Sequence, residues 1–417
     1  MVVSPMEAQT VNRTELDNGI TVLTKPLNTN NIVSVVVALE MGSLYESDEK
    51  AGLSALMQNT ILKGTASRTS EQIALELESM GTKISASSNR EYGTISMQST
   101  KESLYKSLDI LYDVLQNATF PNDEVALQKR LQEREILVQH DQPIYRAIEL
   151  MVEAHYGSHP FHKPRLGYPE TIRELTRDDA AELYRRIYVP NNMVISIVGN
   201  FDESGLLTHI DTSLGSIPDK SDPVPIAGKM PVHTDNVEKI ETRESAASWF
   251  ALGWSSPSID DDDYYAMEVL DSITGGSMNS RLFVAIREKR GLAYQVSSFV
   301  NARKESGVYV AYIGTKPESY EEARTVLIDE VRKMGIERVT DEELDNAKSY
   351  LRGMNIMSME SNGGQASRYA HHEIIGVGYD FGDRYDRRIS DVKAEDVLNI
   401  GKKYLLGSYA LGGVLAR

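Results

Sequence analysis

Cysteine is absent from the 417 residues of the chain. This absence excludes disulfides, thiolate nucleophiles and cysteine-based zinc sites. Long apolar runs are missing too: none approaches the roughly 18 residues of a membrane span, so we expect no transmembrane helix. The N-terminus, MVVSPMEAQTVNRTELDNGI, has no basic segment followed by an apolar one, so no signal peptide is predicted. We therefore expect a cytoplasmic location, or a periplasmic or organellar one if a targeting peptide has been removed.

Basic residues are too few to balance the acidic ones. The chain has 44 Lys and Arg residues against 61 Asp and Glu residues, which gives a net charge of −17. Nucleic acids and anionic membranes both require clustered Lys and Arg. Neither is therefore an expected partner.

The chain is longer than the ~250–300 residues that a single hydrophobic core usually reaches, so at least two domains are expected. A Pro-rich polar stretch near the midpoint, Ser216 to Asp235, interrupts secondary structure and indicates a linker. The predicted organisation is an N-terminal domain, a linker and a C-terminal domain, at residues 1–215, 216–235 and 236–417.

The two halves of the chain resemble each other. STKESLYKSLDILYDVLQNATFPNDEVALQKRLQ in the first and GTKPESYEEARTVLIDEVRKMGIERVTDEELDNAKSYLRG in the second each read as a strand end, a Thr-Lys turn and two helices. Strand-like runs, IVSVVVALEMGS and ASWFALGWSS, open the halves. A repeat at half the chain length indicates duplicated domains. The predicted fold is α+β, with two α/β-sandwich-like domains, each a mixed, largely antiparallel sheet covered by helices.

The segment AGLSALMQNTILKGT, residues 51–65, has apolar residues at helical spacing and predicts an amphipathic helix. Ala55 and Asn59 are four residues apart and share one face, with Gln58 beside them. This is the spacing of H-x-x-E-H, in which two His residues bind zinc and the Glu activates water. Taken without its surroundings, the segment is an ordinary helix, because these three residues supply neither imidazole nor carboxylate.

Longer stretches of the chain match a family pattern. GLSALMQNTILKGT resembles G-x-x-H-x-x-E-H-x-x-F-K-G-T, and GTKISASSNREYGTISM resembles the edge strand that follows it. HPFHKPRLGYPETI, YVPNNMVISIVGNFD, GGSMNSRLFVAIREKRGLAYQVSSF and LGGVLAR extend the match over nearly the whole chain. The chain resembles the pitrilysin/insulinase-type metallopeptidases, which are inverzincins, in the branch similar to mitochondrial processing peptidase. The resemblance implies a clamshell fold, in which two-domain subunits surround a closed chamber.

The resemblance also implies that the zinc site is degenerate. In the family a Glu about 76 residues after the second His is the third ligand, and from Asn59 this spacing leads to Glu135. Ala55, Gln58 and Asn59 occupy the positions of ligand, base and ligand. Since catalytic zinc normally needs three protein ligands and an amide cannot act as a general base, we expect no metal and no cofactor in this chain. Glu135 is then a vestigial polar contact or a solvated helix carboxylate.

The second half keeps a different pair of family residues. IREKRGLAYQV contains Arg287 and, seven residues later, Tyr294. By resemblance, the Arg binds a substrate carbonyl or carboxylate and the Tyr hydroxyl donates toward the oxyanion. A guanidinium, which is always charged, and a phenol, which donates a hydrogen bond, suit these roles. The alternative is that Arg287 pairs with Glu288 or another neighbour and that Tyr294 packs in the core.

The chain has lost the zinc-binding residues but keeps the Arg/Tyr pair, and this combination predicts a heterodimer. The chain would be the non-zinc-binding subunit, inactive alone, with an H-x-x-E-H paralogue that supplies zinc. Together the subunits would enclose an unfolded peptide, which would add as a strand to a sheet edge of the catalytic partner. Two alternatives stay open: an inactive scaffold resembling the core subunits of respiratory complexes, and a self-sufficient homodimeric peptidase or peptide-binding module. The positions of Ala55 and Asn59 argue against the homodimeric peptidase.

Overall fold

The computed structural model describes residues 10–218 and 234–417, so most of the predicted linker 216–235 lies outside the described residues. The chain forms two compact units, and neither is continuous in sequence. Within the described residues, the first unit contains the chain up to Arg134, residues 164 to 218, and Ser358–Asp380. The second contains Glu135–Lys163, residues 234 to 357, and Phe381–Arg417.

The first unit is built on a six-stranded sheet with the order β1-β2-β6-β3-β5-β4. Its strands are β1 Asn12–Glu15, β2 Thr21–Pro26, β3 Ile32–Glu40, β4 Lys83–Ser88, β5 Tyr92–Thr100 and β6 Val194–Gly199. Its helices are α1 Leu53–Thr60, α2 Ser70–Ser79, α3 Leu104–Asn117, α6 Pro169–Glu174, α7 Arg177–Ile187, α8 Glu203–Leu214 and α12 Asn362–Ile374, and α4 Asn122–Asp141 begins in this unit.

The second unit is built on a five-stranded sheet with the order β7-β11-β8-β10-β9. Its strands are β7 Val237–Arg243, β8 Ser248–Ser256, β9 Gln295–Ala302, β10 Gly307–Thr315 and β11 Ala410–Ala416. Its helices are α5 Pro143–Tyr156, α9 Tyr264–Thr274, α10 Tyr320–Lys333, α11 Asp341–Ser358, α13 Phe381–Asp391 and α14 Ala394–Tyr404, with a π-helical turn at Phe283–Glu288. None of the helices in residues 10–218 and 234–417 combines the length and hydropathy that a membrane span needs.

The two sheets share one strand order once β1 is set aside. In each, the first strand pairs in parallel with the last strand of the unit, β2 with β6 and β7 with β11, and the other pairings are antiparallel. The central strands β3 and β8 are buried along most of their length, as their β-branched and aromatic runs require. The predicted α+β fold, with duplicated, largely antiparallel mixed sheets, is confirmed.

Each sheet is covered by a helix that chain order would assign to the other half. In the first unit, α12 packs its residues Ala366, Tyr369 and Ala370 on the central strands. In the second, α5 lies on β11 and β8, with Ala147 and Leu150 in the core. Both helices present small residues at the contact, which allows helix and sheet to approach closely.

Gly412 on β11 marks the closest approach of α5 to its sheet. A Cβ atom at this position would lie 2.1 Å from the carbonyl oxygen of Ala147 and 2.1 Å from the backbone nitrogen of Met151. Backbone atoms cannot rotate away as side chains can, so only glycine fits here. At the next residue, Gly413, a Cβ atom would meet nothing closer than 3.5 Å.

We expect Gly412→Ala to lower the free energy of unfolding by about 2 kcal/mol or more, because α5 must move off the sheet. Gly413→Ala is the matched control on the opposite face and should leave stability nearly unchanged. Thermal and urea unfolding followed by circular dichroism would compare the variants. Equal stability of the two would contradict this account of the α5 contact.

Candidate functional site

The helix predicted from residues 51–65 is α1, and the structure buries it on nearly all sides. Of its eight residues only Asn59 is not fully buried, so the predicted amphipathic character is wrong. The helix begins after Gly52, whose φ of 92° is in the left-handed region. The carboxylate of Glu46 accepts hydrogen bonds from the N–H groups of Gly52 (2.7 Å) and Ser54 (2.5 Å), which caps the helix.

Gln58, at the position of the family's general base, is a buried structural residue. The residue is only 1% exposed. Its Nε2 atom donates to the carbonyl oxygens of Ser87 on β4 (3.1 Å) and Thr94 on β5 (3.2 Å). Its Oε1 accepts a 2.5 Å hydrogen bond from the hydroxyl of Tyr188, whose pKa is raised well above its usual value by burial. Both ends of the amide are engaged, so the side chain holds α1 to the sheet.

The residues at the former zinc positions do not fit a catalytic zinc ion. Ala55 is 1% exposed and offers no donor atom, and the amide of Gln58 is occupied. Glu135 lies on α4 and accepts a 3.4 Å hydrogen bond from Gln139. In the part of the chain that the structure describes, no group of three His, Cys, Asp or Glu residues could hold a metal ion. That the chain binds no zinc stays a prediction.

The edge strand β4 lines part of a groove in the first unit. β4 is the last strand of its sheet and pairs on one side only, with β5. A cavity of about 890 Å³ is lined by residues of β4, β5 and β3, together with α2 and the start of α12. A strand edge next to open space presents unpaired backbone N–H and C=O groups, to which an extended peptide can hydrogen bond.

Arg287 lies on the π-helical turn Phe283–Glu288, in the second unit. Its guanidinium lies 5.1 Å from the centre of the Phe283 ring, which orients it by a cation–π contact. Among the described residues it has no carboxylate partner, so the alternative pairing with Glu288 is not seen. Arg287 lines a cavity of about 830 Å³, together with the glycine-rich turn 275–279 and Tyr350 of α11.

Tyr294 precedes β9 and is 53% exposed, so it does not pack in the core. Its backbone N–H donates to the carbonyl oxygen of Gly314 (2.8 Å), which ties the residue to β10. The residue is not part of the cavity that Arg287 lines. The structure thus leaves both side chains accessible but does not bring them together in one cavity.

The wall of the Arg287 cavity contains a carboxylate whose charge is balanced. Arg281 donates two hydrogen bonds to Glu343, from Nε (2.7 Å) and Nη2 (2.9 Å). These bonds, with the charge of Arg281 and the hydrogen bonds from the N–H and hydroxyl of Thr340, lower the pKa of Glu343 to about 2, although burial opposes the shift. The uncompensated charge at the cavity is therefore the positive charge of Arg287.

The sequence did not identify two carboxyl groups on α9, Glu268 and Asp271, and Asp271 supports the glycine-rich turn. Asp271 accepts a 2.5 Å hydrogen bond from Ser298, and its carbonyl oxygen accepts from the N–H groups of Gly275 and Gly276, both at 2.9 Å. Burial raises the pKa of Asp271 to about 7, and burial together with the charge of Asp271 raises that of Glu268 to about 7. In the sequence these residues follow four consecutive aspartates, 260–263, a pattern typical of a solvated surface.

The comparisons with known proteins agree with the fold. The model of the family described as Insulinase (Peptidase family M16) matches residues 21–168, and that described as Peptidase M16 inactive domain matches residues 174–351. The chain belongs to the insulinase family, peptidase family M16. It is 26% identical over 401 residues to a Bacillus subtilis protein named uncharacterized zinc protease YmxG, with 96% of this chain and 97% of that protein covered.

Two solved structures share the fold. A peptidase M16 inactive domain from Pseudomonas fluorescens superposes with a TM-score of 0.91 at 20% identity, and the match covers 98% of each chain. A chain of complex III2 from Candida albicans superposes with a TM-score of 0.84 at 18% identity, over 97% of this chain and 96% of that one. At these identities the likeness concerns the fold alone.

We expect Gln58→Glu, which restores the family's carboxylate, to lower the free energy of unfolding by about 3 kcal/mol or more. The variant loses two N–H donors and places an acid against the carbonyl oxygens of Ser87 and Thr94. Burial raises the pKa of the new carboxyl, so the loss grows as pH rises above the ordinary range for Glu. Asn59→Asp, one residue away and partly exposed, is the control. Urea unfolding at pH 5 and pH 8 measures both, and a Gln58→Glu variant as stable as the native chain would contradict this role.

Glu268 and Asp271 predict a fall in stability as pH rises. Their pKa values are raised to about 7 in the folded chain, so between roughly pH 4 and 7 the folded state holds protons that the unfolded state has released. The melting temperature should therefore decrease between pH 5.5 and pH 8.5. Glu268→Gln should flatten this slope and stabilise the chain at pH 8.5, whereas Glu342→Gln, an exposed carboxylate on α11, should not. An unchanged slope in Glu268→Gln would count against the assignment.

Proposed function

We propose that this chain is the non-zinc-binding subunit of a heterodimeric zinc peptidase similar to mitochondrial processing peptidase. Its partner would be a paralogue with an intact H-x-x-E-H helix, which would carry the zinc ion and the general base. This chain would help to enclose an unfolded peptide and would complete the partner's active site in trans with Arg287 and Tyr294. By itself it would not hydrolyse peptides.

The observation that carries this proposal is the accessible, unpaired guanidinium of Arg287. Arg287 is exposed, and Glu343, the carboxylate in its cavity wall, is held by Arg281, so the guanidinium is open to a ligand with negative charge. Its stacking on Phe283 limits its movement while all of its N–H donors stay available. An arrangement of this kind suits a substrate carbonyl or carboxylate, or charge that develops in a transition state.

The exposed phenol of Tyr294 supports the proposed contribution of this residue to the partner's active site. A tyrosine that is 53% exposed contributes little to a core, and the backbone bond to Gly314 fixes its position at the start of β9. A phenol held in this way can donate toward an oxyanion formed at a metal centre. Because we expect no metal centre in this chain, the oxyanion would form on the partner subunit.

A second candidate is an inactive scaffold or peptide-binding subunit. The structural role of the Gln58 amide favours this candidate, because a chain that binds peptides without cleaving them needs no general base at this position. The open edge of β4 with its groove would allow a peptide to add as a strand without any cleavage. This candidate gives the accessible Arg287 no use, so we rank it second.

The test is reconstitution with the H-x-x-E-H paralogue from the same organism. Neither subunit alone should cleave a fluorogenic unfolded peptide, and the co-purified pair should. Arg287→Ala should lower kcat/KM of the pair by about 100-fold or more, as expected for loss of a group that stabilises developing charge, and Tyr294→Phe should lower it by a similar factor. Lys289→Ala removes a neighbouring exposed cation and should have little effect.

Three outcomes would count against the proposal. The pair could form and cleave with full activity when both Arg287 and Tyr294 are substituted, which would favour the scaffold. The isolated chain could contain one equivalent of zinc by metal analysis, which would contradict the degenerate site. Stable incorporation of the chain into a membrane complex without a peptidase partner would also favour the scaffold.

A further inference from the structure

Helix α11 of the second unit exposes a stripe of large apolar side chains. Tyr350, Met354 and Met357 are 44%, 48% and 66% exposed. They are four and three residues apart, so they lie on one face of the helix. Single exposed apolar residues are common on protein surfaces, whereas a contiguous apolar patch marks an interaction site. We call these three residues the α11 stripe, which extends ~10 Å along the helix axis.

The α11 stripe is continuous with the cavity that Arg287 lines. Glu343, Asn346, Ala347 and Tyr350 are all in the lining of this cavity. They are three or four residues apart, so they lie on the same face of α11 as the stripe. Tyr350 therefore belongs to both the cavity and the stripe. The two methionines continue the same face of the helix beyond the cavity wall.

The side chains of this surface suit a ligand of variable sequence. Met278 of the glycine-rich turn also lines the cavity and is exposed, so methionine occurs both at the cavity and along the stripe. Methionine is unbranched and polarizable, which lets it adapt to apolar groups of different shape. Tyr350 adds an aromatic face. An adaptable surface next to a concave cavity favours the side chains of an unfolded peptide over the fixed surface of a folded subunit.

The charge at the cavity indicates what else such a peptide carries. Arg287 is exposed and has no carboxylate partner among the described residues, and Glu343 in the cavity wall is held by Arg281. The chain as a whole has a net charge of −17, so an exposed cation beside an apolar surface is a local exception that attracts a negative group. A basic peptide would bring like charge to Arg287. A peptide complementary to both features carries a carboxylate close to apolar side chains.

The spacing along the α11 stripe fits an extended peptide. Side chains two residues apart in an extended chain lie on the same side and are ~6.6 Å apart. The rise from Tyr350 to Met354 along the helix is ~6 Å. Two apolar side chains at alternate positions of one peptide can therefore contact the stripe together.

We propose that the α11 stripe binds two alternate apolar side chains of an extended peptide whose Asp or Glu side chain is bound by Arg287 in the adjoining cavity. This inference rests on the proposed peptide-binding role of the chain and adds the class of peptide, which is acidic and apolar. The stripe supplies selectivity for the apolar residues, and Arg287 supplies selectivity for the carboxylate.

Three substitutions separate the two parts of this surface. The double variant Met354→Gln/Met357→Gln keeps side-chain length and helix propensity but removes the apolar character of two exposed positions, so the fold should be retained. Arg287→Gln removes the charge. Ile356→Gln is the matched control, because Ile356 is also exposed on α11 but lies two residues from Met354, on the opposite face of the helix.

The experiment measures peptide binding to the full chain by fluorescence anisotropy. The probe is an amidated, fluorescein-labelled decapeptide of Ser and Gln that contains one Glu and two Leu residues at alternate positions, made with Glu before and with Glu after the Leu residues. The comparison peptides replace Glu by Gln or both Leu residues by Ser. We expect one order of the probe to bind about tenfold more tightly than either comparison peptide, through the added ionic hydrogen bonds or apolar burial.

Each variant should remove one selectivity and keep the other. Met354→Gln/Met357→Gln should lose the gain from Leu and keep the gain from Glu. Arg287→Gln should lose the gain from Glu and keep the gain from Leu. Ile356→Gln should keep both gains.

The results also distinguish this inference from the proposed function. Equal binding of the probe and both comparison peptides, or a Leu gain that survives in the double methionine variant, overturns the inference and leaves the trans-acting role of Arg287 intact. Absence of binding by any peptide also overturns it, whereas cleavage by the reconstituted pair still decides the proposed function. A double methionine variant that no longer co-purifies with the paralogue would identify the stripe as a subunit contact and likewise overturn its assignment to the peptide.

Discussion

The hydrogen bonds of the buried Gln58 side chain hold together the part of the molecule on which the function of its family depends. One amide joins α1 to β4, β5 and the end of α7, and it does so because it both donates and accepts. A carboxylate could accept from Tyr188 but would face two carbonyl oxygens. The chemistry of the general base and the present packing of this helix are therefore mutually exclusive at this position.

This constraint explains how the frame of a zinc helix persists without its ligands. With Ala55 and Gln58 buried, α1 serves as core, and the open edge of β4 beside it is kept in place. In the second unit, a salt bridge within the cavity wall leaves the charge of Arg287 uncompensated. One unit thus has an open strand edge, and the other has an exposed cation without a carboxylate partner among the described residues.

Much of the fold could be predicted because it repeats. Strand-like runs, Thr-Lys turns and paired helices recur in both halves, and the shared strand order of the two sheets confirms the duplication. The degenerate helix could be located from the spacing of Ala55, Gln58 and Asn59. The role of Gln58 could not, because its partners, Ser87, Thr94 and Tyr188, lie 29 to 130 residues away. Nor could the carboxyl groups of Glu268 and Asp271 be distinguished from a solvated acidic surface.

By itself the sequence determined the secondary structure, the duplication and the absence of zinc-binding side chains at α1, since these follow from residue type and local spacing. Only the tertiary structure decided that α5 and α12 cover sheets outside their own halves, that Tyr294 stands apart from the Arg287 cavity, and that the Gln58 amide is bonded at both ends. The physical reason is that burial and hydrogen-bond satisfaction depend on residues far apart in the chain, which no local pattern records.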